Sequence, residues 1–208
     1  MGNVPTLPKE SVVLERVSWA TYEHLLSDYR EASAPRFAFD RERLEIISPS
    51  SEHEEYKQTL TLLVELLAER LGLDIRILGS TTFKRSQLER GFEADACFYV
   101  QSAESMHGKT PIDPAVDPAP DLVIEVEDTT PALNKLPIYA AFHVPEVWRY
   151  DGDRIIVLLL SGAEYVESRK STAFPTIPTD ELSRLARQSV TMKRRQWLSQ
   201  LRNLLETV

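Results

Sequence analysis

The spacing of apolar residues along this chain changes several times, and each change marks an element. From Ser18 onward, Trp19, Tyr22, Leu25, Leu26 and Tyr29 recur at helical spacing, and Ser18 can cap that helix. The stretch RFAFDRERLEIISPS then alternates with period two. Phe37 and Phe39 share one face, Asp40-Arg41 can turn, and Leu44 and Ile46 alternate again, which predicts a hairpin. Ser50 to Gly72 reads as a long helix. It has serines for a cap, acids near its start, Leu60, Leu63, Leu67 and Leu71 as its apolar stripe, and glycine at its end. Two strands are predicted next, in DIRILGSTTFKR and FEADACFYV, joined by the polar residues Ser86 to Gly91. Pro111, Pro114 and Pro118 make residues 101–118 loop-like.

PDLVIEVEDTT, Pro120 to Thr130, reads as a buried strand. PALNKLPIYAAF follows as a short helix with Pro137 in or near its first turn, where proline is tolerated. VPEVWRYDGDRIIVLLL predicts a strand, an Asp-Gly turn and another strand, with AEYVES as an edge. Helices are expected over Thr179 to Arg187 and from Met192, the latter carrying Trp197, Leu198, Leu201, Leu204 and Leu205. The order predicts an α/β or α+β fold, with a mixed central sheet flanked by helices. Residues 1–208 read as a single domain in which 188–208 form a C-terminal helix.

Composition narrows the class. At 42% hydrophobic and 27% charged, the 208 residues can bury a sizeable core. No apolar run approaches the ~20 residues that span a bilayer. The opening MGNVPTLPKE lacks the regions of a secretory signal. Cys97, the one cysteine, reads as a small core residue and suits a reducing cytoplasm, so a cytoplasmic location and no membrane partner are expected. The net charge of -8 argues against a protein that coats nucleic acid non-specifically. That charge is uneven. From Arg169 to Val208 there are eight basic and three acidic residues, a local +5 against -13 for the remainder.

Candidate chemistry begins in the buried strand. Asp121, Glu125 and Glu127 fall at odd positions, so one face would carry three carboxylates. Asp121 follows a proline and reads as a turn or cap residue. Glu125 stands in the middle of an apolar run, where glutamate rarely goes without a partner. Asp95 lies in a second apolar strand, on the face of Cys97 and Tyr99. Carboxylates from two strands can converge on a divalent cation such as magnesium or manganese. Glu54 and Glu55, early in the long helix, could lean over such a site. Lys135, on the helix after the strand, could stabilise phosphate charge. His53, next to Glu54, could bind a metal or contact phosphate, but at a helix start it reads first as a polar surface group, and His24, His107 and His143 form no ligand spacing. There is no CxxC, GxGxxG, GxxxxGK[ST] or GxSxG.

Three stretches in this order, RLEIISPSSEHE, LGSTTFKRSQLERGFEADACFYV and PDLVIEVEDTTPALNKLPIYAAFHVPEVWRYDG, resemble the Uma2 family of restriction-endonuclease-like proteins. The resemblance covers residues 11–187. It implies a PD-(D/E)XK nuclease fold with a magnesium-type site, and an endonuclease that hydrolyses phosphodiester bonds of nucleic acid, DNA in the first instance. By that resemblance Asp95 matches the Asp of the PD motif, Glu125 the acid of (D/E)XK, and Glu54 an acid on the first core helix; all three are expected metal ligands. Two departures stand out. Ala94 precedes Asp95 in place of proline, and Glu127 holds the position of the motif lysine. Lys135 is the expected replacement, with Lys84 a weaker one. The alternative is a catalytically inactive relative that binds nucleic acid or protein. Related nucleases often dimerise, and the terminal helix with Trp197 is either a homodimer interface or part of its own core.

Overall fold

The computed structural model describes residues 9–30, 32, 34–114, 116–126 and 131–206. Two sheets form. The first is antiparallel, with order β1-β3-β2-β6-β5, built from β1 (Lys9–Leu14), β2 (Arg36–Asp40), β3 (Arg43–Pro49), β5 (Thr82–Arg85) and β6 (Arg90–Glu93). The second has order β11-β10-β9-β8-β7-β4, from β4 (Arg76–Gly79), β7 (Ala96–Tyr99), β8 (Leu122–Val126), β9 (Glu146–Tyr150), β10 (Ile155–Ser161) and β11 (Glu164–Ser168). It is mixed, because β8 and β9 run parallel while the other pairs are antiparallel. The parallel pair requires a crossover, and α3 (Leu136–Ala141) lies in it.

The expected mixed sheet with flanking helices is present, so the fold is mixed α+β. The first sheet adds a layer that one-dimensional periodicity does not reveal. Both strand stretches predicted around residues 75–100 break in two, and their halves enter different sheets. Gly79, at φ +58, ends β4 before β5 begins, and the chain crosses back at Ala94-Asp95 between β6 and β7. The predicted hairpin forms with Phe39 opposite Leu44, and its turn is Arg41-Glu42 rather than Asp40-Arg41.

Helix ends follow from their caps. Ser18 Oγ accepts from Thr21 N–H to start α1 (Trp19–Asp28). Ser50 Oγ accepts from His53 N–H to start α2 (Ser51–Leu71), and Gly72, at φ +65, ends it in the left-handed conformation. The expected C-terminal helices are α4 (Thr179–Thr191) and α5 (Arg194–Glu206). Among the described residues no helix is long and apolar enough to cross a membrane.

Period two in β8 divides the interior. Leu122, Ile124 and Val126 face α2, α4 and α5, in a cluster with Leu60, Leu63 and Leu67. Val123 lies on the opposite face, in a cluster with Ile138 of α3, its C-cap Phe142, and Ala38 and Phe92 of the first sheet. Trp197 and Leu201 are fully buried in the first of these clusters, so α5 packs on its own core. Cys97 is a buried free thiol that burial pushes up, as expected of a small core residue.

Candidate active site

The switch of sheets at Ala94-Asp95 places the first acidic residue. Ala96 pairs with Ile124, so one further step along the antiparallel ladder sets Asp95 opposite Glu125. Asp95 Oδ2 accepts from Val126 N–H at 2.8 Å, which ties the carboxylate to the end of β8. His53 Nε2 lies 3.0 Å from the same oxygen. The guanidinium of Arg36, from β2, forks between Asp95 Oδ1 and Glu54 Oε1. Lys57 Nζ reaches the other oxygen of Glu54 at 3.2 Å.

Glu125 is held from α3. Lys135 Nζ donates to Oε2 at 2.5 Å, and the Tyr139 hydroxyl donates to Oε1. Lys135 and Tyr139 are four apart, one turn of helix, so both reach the same carboxylate. Asp95, Glu125, Lys135, Arg36 and His53 are all buried, while Glu54 keeps 38% of its side chain accessible and is the acid nearest solvent. Three carboxylates meet Arg36, Lys57 and Lys135, so the buried charge is compensated, as burial requires.

Burial alone would raise the Asp95 carboxyl. The close contact and charge of His53, with the charges of Lys135 and Arg36, outweigh it and hold Asp95 well below the usual carboxylate range. Lys135 thus acts on Asp95 as well as on Glu125, which joins the β8–α3 pair to the Arg36–Glu54 side in one network.

Glu54, Asp95, Glu125 and Lys135 therefore stand in one cluster. Lys84 does not; it pairs with Glu23 Oε1 at 2.7 Å. Glu55 is exposed on α2, and His24, His107 and His143 are exposed. Asp121 accepts from the N–H groups of Val100 and Ser102, each at 2.8 Å, and from the Ser102 hydroxyl, so it caps a turn. Glu127 lies outside the described residues.

The structure corrects the expectation for one member of the cluster and adds another that the sequence reading missed. His53 is buried, not a surface group. Its signal was spacing: His53, Tyr56, Leu60, Leu63 and Leu67 form one buried stripe of α2. Arg36 had a weaker signal. In RFAFD it shares the face of Ala38, opposite the Phe37 and Phe39 that pack on Tyr22 of α1.

A mixed α+β fold whose two sheets meet at a buried carboxylate–lysine cluster is the class defined so far. The model of the Uma2 family, described as "Putative restriction endonuclease", matches residues 19–189, and the chain belongs to that family. Among solved structures, one from Anabaena variabilis ATCC 29413, described as "a putative nuclease belonging to DUF820", is 13% identical with a TM-score of 0.45, covering 85% of this chain and 98% of its own. No curated protein matches.

Restriction-endonuclease-like proteins generally use divalent metals, so the donor set can be tested against such an ion. Among the described residues no three acidic or histidine side chains form a closed ligand set. Magnesium commonly takes one or two carboxylates and completes its sphere with water and phosphate oxygens. Asp95 and Glu125, facing each other across β7 and β8, fit that pattern, with Glu54 on the solvent side.

Proposed function

We propose that this chain is a magnesium- or manganese-dependent endonuclease that hydrolyses phosphodiester bonds of DNA, working in the cytoplasm. The observation that carries the reading is the buried Glu125–Lys135 pair set beside Asp95. A lysine in salt-bridge contact with one acid, and acting electrostatically on the other, is the charge arrangement a phosphoryl transfer site requires. Asp95 and Glu125 would hold the ion, with Glu54, on the solvent side, reaching it through water. The chemistry it supplies is polarisation of the phosphate and acidification of water.

The remaining roles belong to side chains. Val126 N–H, His53 and Arg36 keep Asp95 ionised and aimed. Tyr139 fixes the rotamer of Glu125 through its hydroxyl. Lys135 supplies positive charge where the phosphate becomes more negative and orients the attacking water by hydrogen bonding. Since Glu127 takes the place of the motif lysine, Lys135, the N-cap of α3, carries that role. A dimer that cuts both strands would use a surface other than Trp197 and Leu201, which are buried in the core.

Asp95→Asn and Glu125→Gln should each abolish Mg²⁺-dependent nicking of supercoiled plasmid while circular dichroism remains native. Cleavage retained in clean preparations of both would overturn the proposal. A second reading, an inactive binding module, draws on the cations that already neutralise every carboxylate of the cluster. Calorimetry with Mn²⁺ separates the two: the nuclease reading expects a heat signal that Glu125→Gln lacks, and the binding module expects none in the wild type.

A further inference from the structure

The exposed face of α5 is a place where an acidic protein presents cations that nothing in the fold uses. Lys193, Arg195 and Arg202 are exposed, and none makes an ion pair or a side-chain hydrogen bond with another described residue. In the acid-rich remainder of the chain, Arg43, Lys84, Arg90, Lys109 and Arg154 each have a carboxylate partner. A shallow groove runs along the helix, lined by Arg194, Arg195, Leu198, Ser199, Arg202 and Asn203.

We infer that this face of α5 is a docking surface for the phosphate backbone of a nucleic acid, separate from the cleavage cluster. The inference rests on the nuclease reading above for the kind of polyanion, and on charge for the place. With a net charge of -8 overall but +5 over residues 169–208, the chain repels a polyanion except through its C-terminal segment. Arg195 and Arg202 are seven residues apart, two helical turns or about 10.5 Å of rise, so both can meet the backbone of one duplex. Ser199 and Asn203 add neutral hydrogen-bond donors between and beside them.

The helix is firmly seated, which suits a docking element. Arg194 contacts Thr59 Oγ1 of α2 at 3.5 Å and lies over the Trp197 ring at 4.8 Å. Thr59 is five residues beyond Glu54, about 7.5 Å of helical rise. Arg194 thereby ties the N-terminal end of the positive face to α2, the helix that also carries Glu54. Other occupants fit less well. A membrane-surface helix needs a free apolar face, and here Trp197 and Leu201 are buried in the protein core. A two-fold contact through this face would set its arginines against their own copies.

The test is fluorescence anisotropy of a short labelled DNA duplex over a salt series without divalent metal, with the matching RNA duplex and anionic phospholipid vesicles run alongside. Wild type should bind duplex with log K falling linearly in log salt. Arg195→Gln/Arg202→Gln should weaken binding and reduce that slope by about two, one for each phosphate left without its arginine. Its thermal midpoint should match wild type, since both side chains are exposed and unpaired. Glu125→Gln should keep the wild-type slope, because it takes no cation from the docking face. An unchanged slope in the double variant overturns the inference, as does a wild type that binds no duplex at low salt. Vesicle binding as tight as duplex binding, and abolished in the same variant, overturns it in favour of a lipid surface. If Glu125→Gln still cleaves while the arginine variant shows the reduced slope, the docking face stands and the site assignment falls.

Discussion

Arg36→Met tests the central electrostatic claim. The guanidinium contacts two carboxylates that differ in setting: Asp95, with 6% of its side chain accessible, and Glu54, with 38%. Breaking a buried pair by removing one partner costs about 3–5 kcal/mol, because the other charge stays buried. The Glu54 share is screened by water and is worth less than about 1 kcal/mol. Asp95 keeps Val126 N–H, His53 and the charge of Lys135, and methionine retains the aliphatic stem, so the lower end applies, about 3 kcal/mol. For a chain of this size that corresponds to a fall of roughly 6–12 °C in Tm. Urea unfolding followed by circular dichroism should show a lower midpoint with an unchanged m value. The double variant Arg36→Met/Asp95→Asn should cost about 2 kcal/mol less than the sum of the single changes. Divalent metal should act in the opposite direction. Unneutralised carboxylates attract a cation more strongly, so Mg²⁺ should raise the Tm of Arg36→Met further than that of wild type. An Arg36→Met protein within about 0.5 kcal/mol of wild type, the range of ordinary surface substitutions, would refute the buried ion pair and the charge balance built on it.

Three further outcomes follow from the same contacts. Glu45, on β3, is fully buried and neither carboxylate oxygen has a hydrogen-bond partner among the described residues, whereas the equally buried Glu146 accepts from Trp148 Nε1, Thr172 and Ala173. Glu45→Leu should therefore stabilise the protein by about 1–3 kcal/mol in urea unfolding, and a decrease in stability would mean that Glu45 has a partner in solution. Asp95 has a folded-state pKa below its ordinary 3.8, so its stabilisation is complete above that value and disappears as pH falls below it. The gap in stability between wild type and Asp95→Asn should accordingly narrow progressively as the pH falls from 3.8 toward the lower folded-state value, and a constant gap there would contradict the ion pairs. Tyr139→Phe removes the hydroxyl donated to Glu125 and should lower kcat of plasmid nicking about tenfold or more through misplacement of the acid, with wild-type kcat as the contrary result.

How much of this was legible in the sequence depends on whether the signal was local. Helix α2 was, because Ser50, the acids of its first turn and Gly72 each state a cap or a dipole preference within a few residues. So was the odd face of β8, since period two places Glu125 away from Leu122, Ile124 and Val126 with no tertiary knowledge. The division of the strands between two sheets was not. FEADACFYV keeps a strand-like composition straight through Ala94-Asp95, and only partner strands distant in sequence, β2 and β5 on one side and β4 and β8 on the other, decide that its halves separate. Arg36 was hidden for the same reason, because its two carboxylates lie 18 and 59 residues away. His53 is the instructive case between these. Its stripe on α2 predicts burial, and a buried imidazole requires a polar partner. Applied to α2 before any fold was known, that rule would have demanded an acid near the start of the helix, and Asp95 stands 3.0 Å from Nε2 as its charge partner, without hydrogen-bond geometry among the described residues.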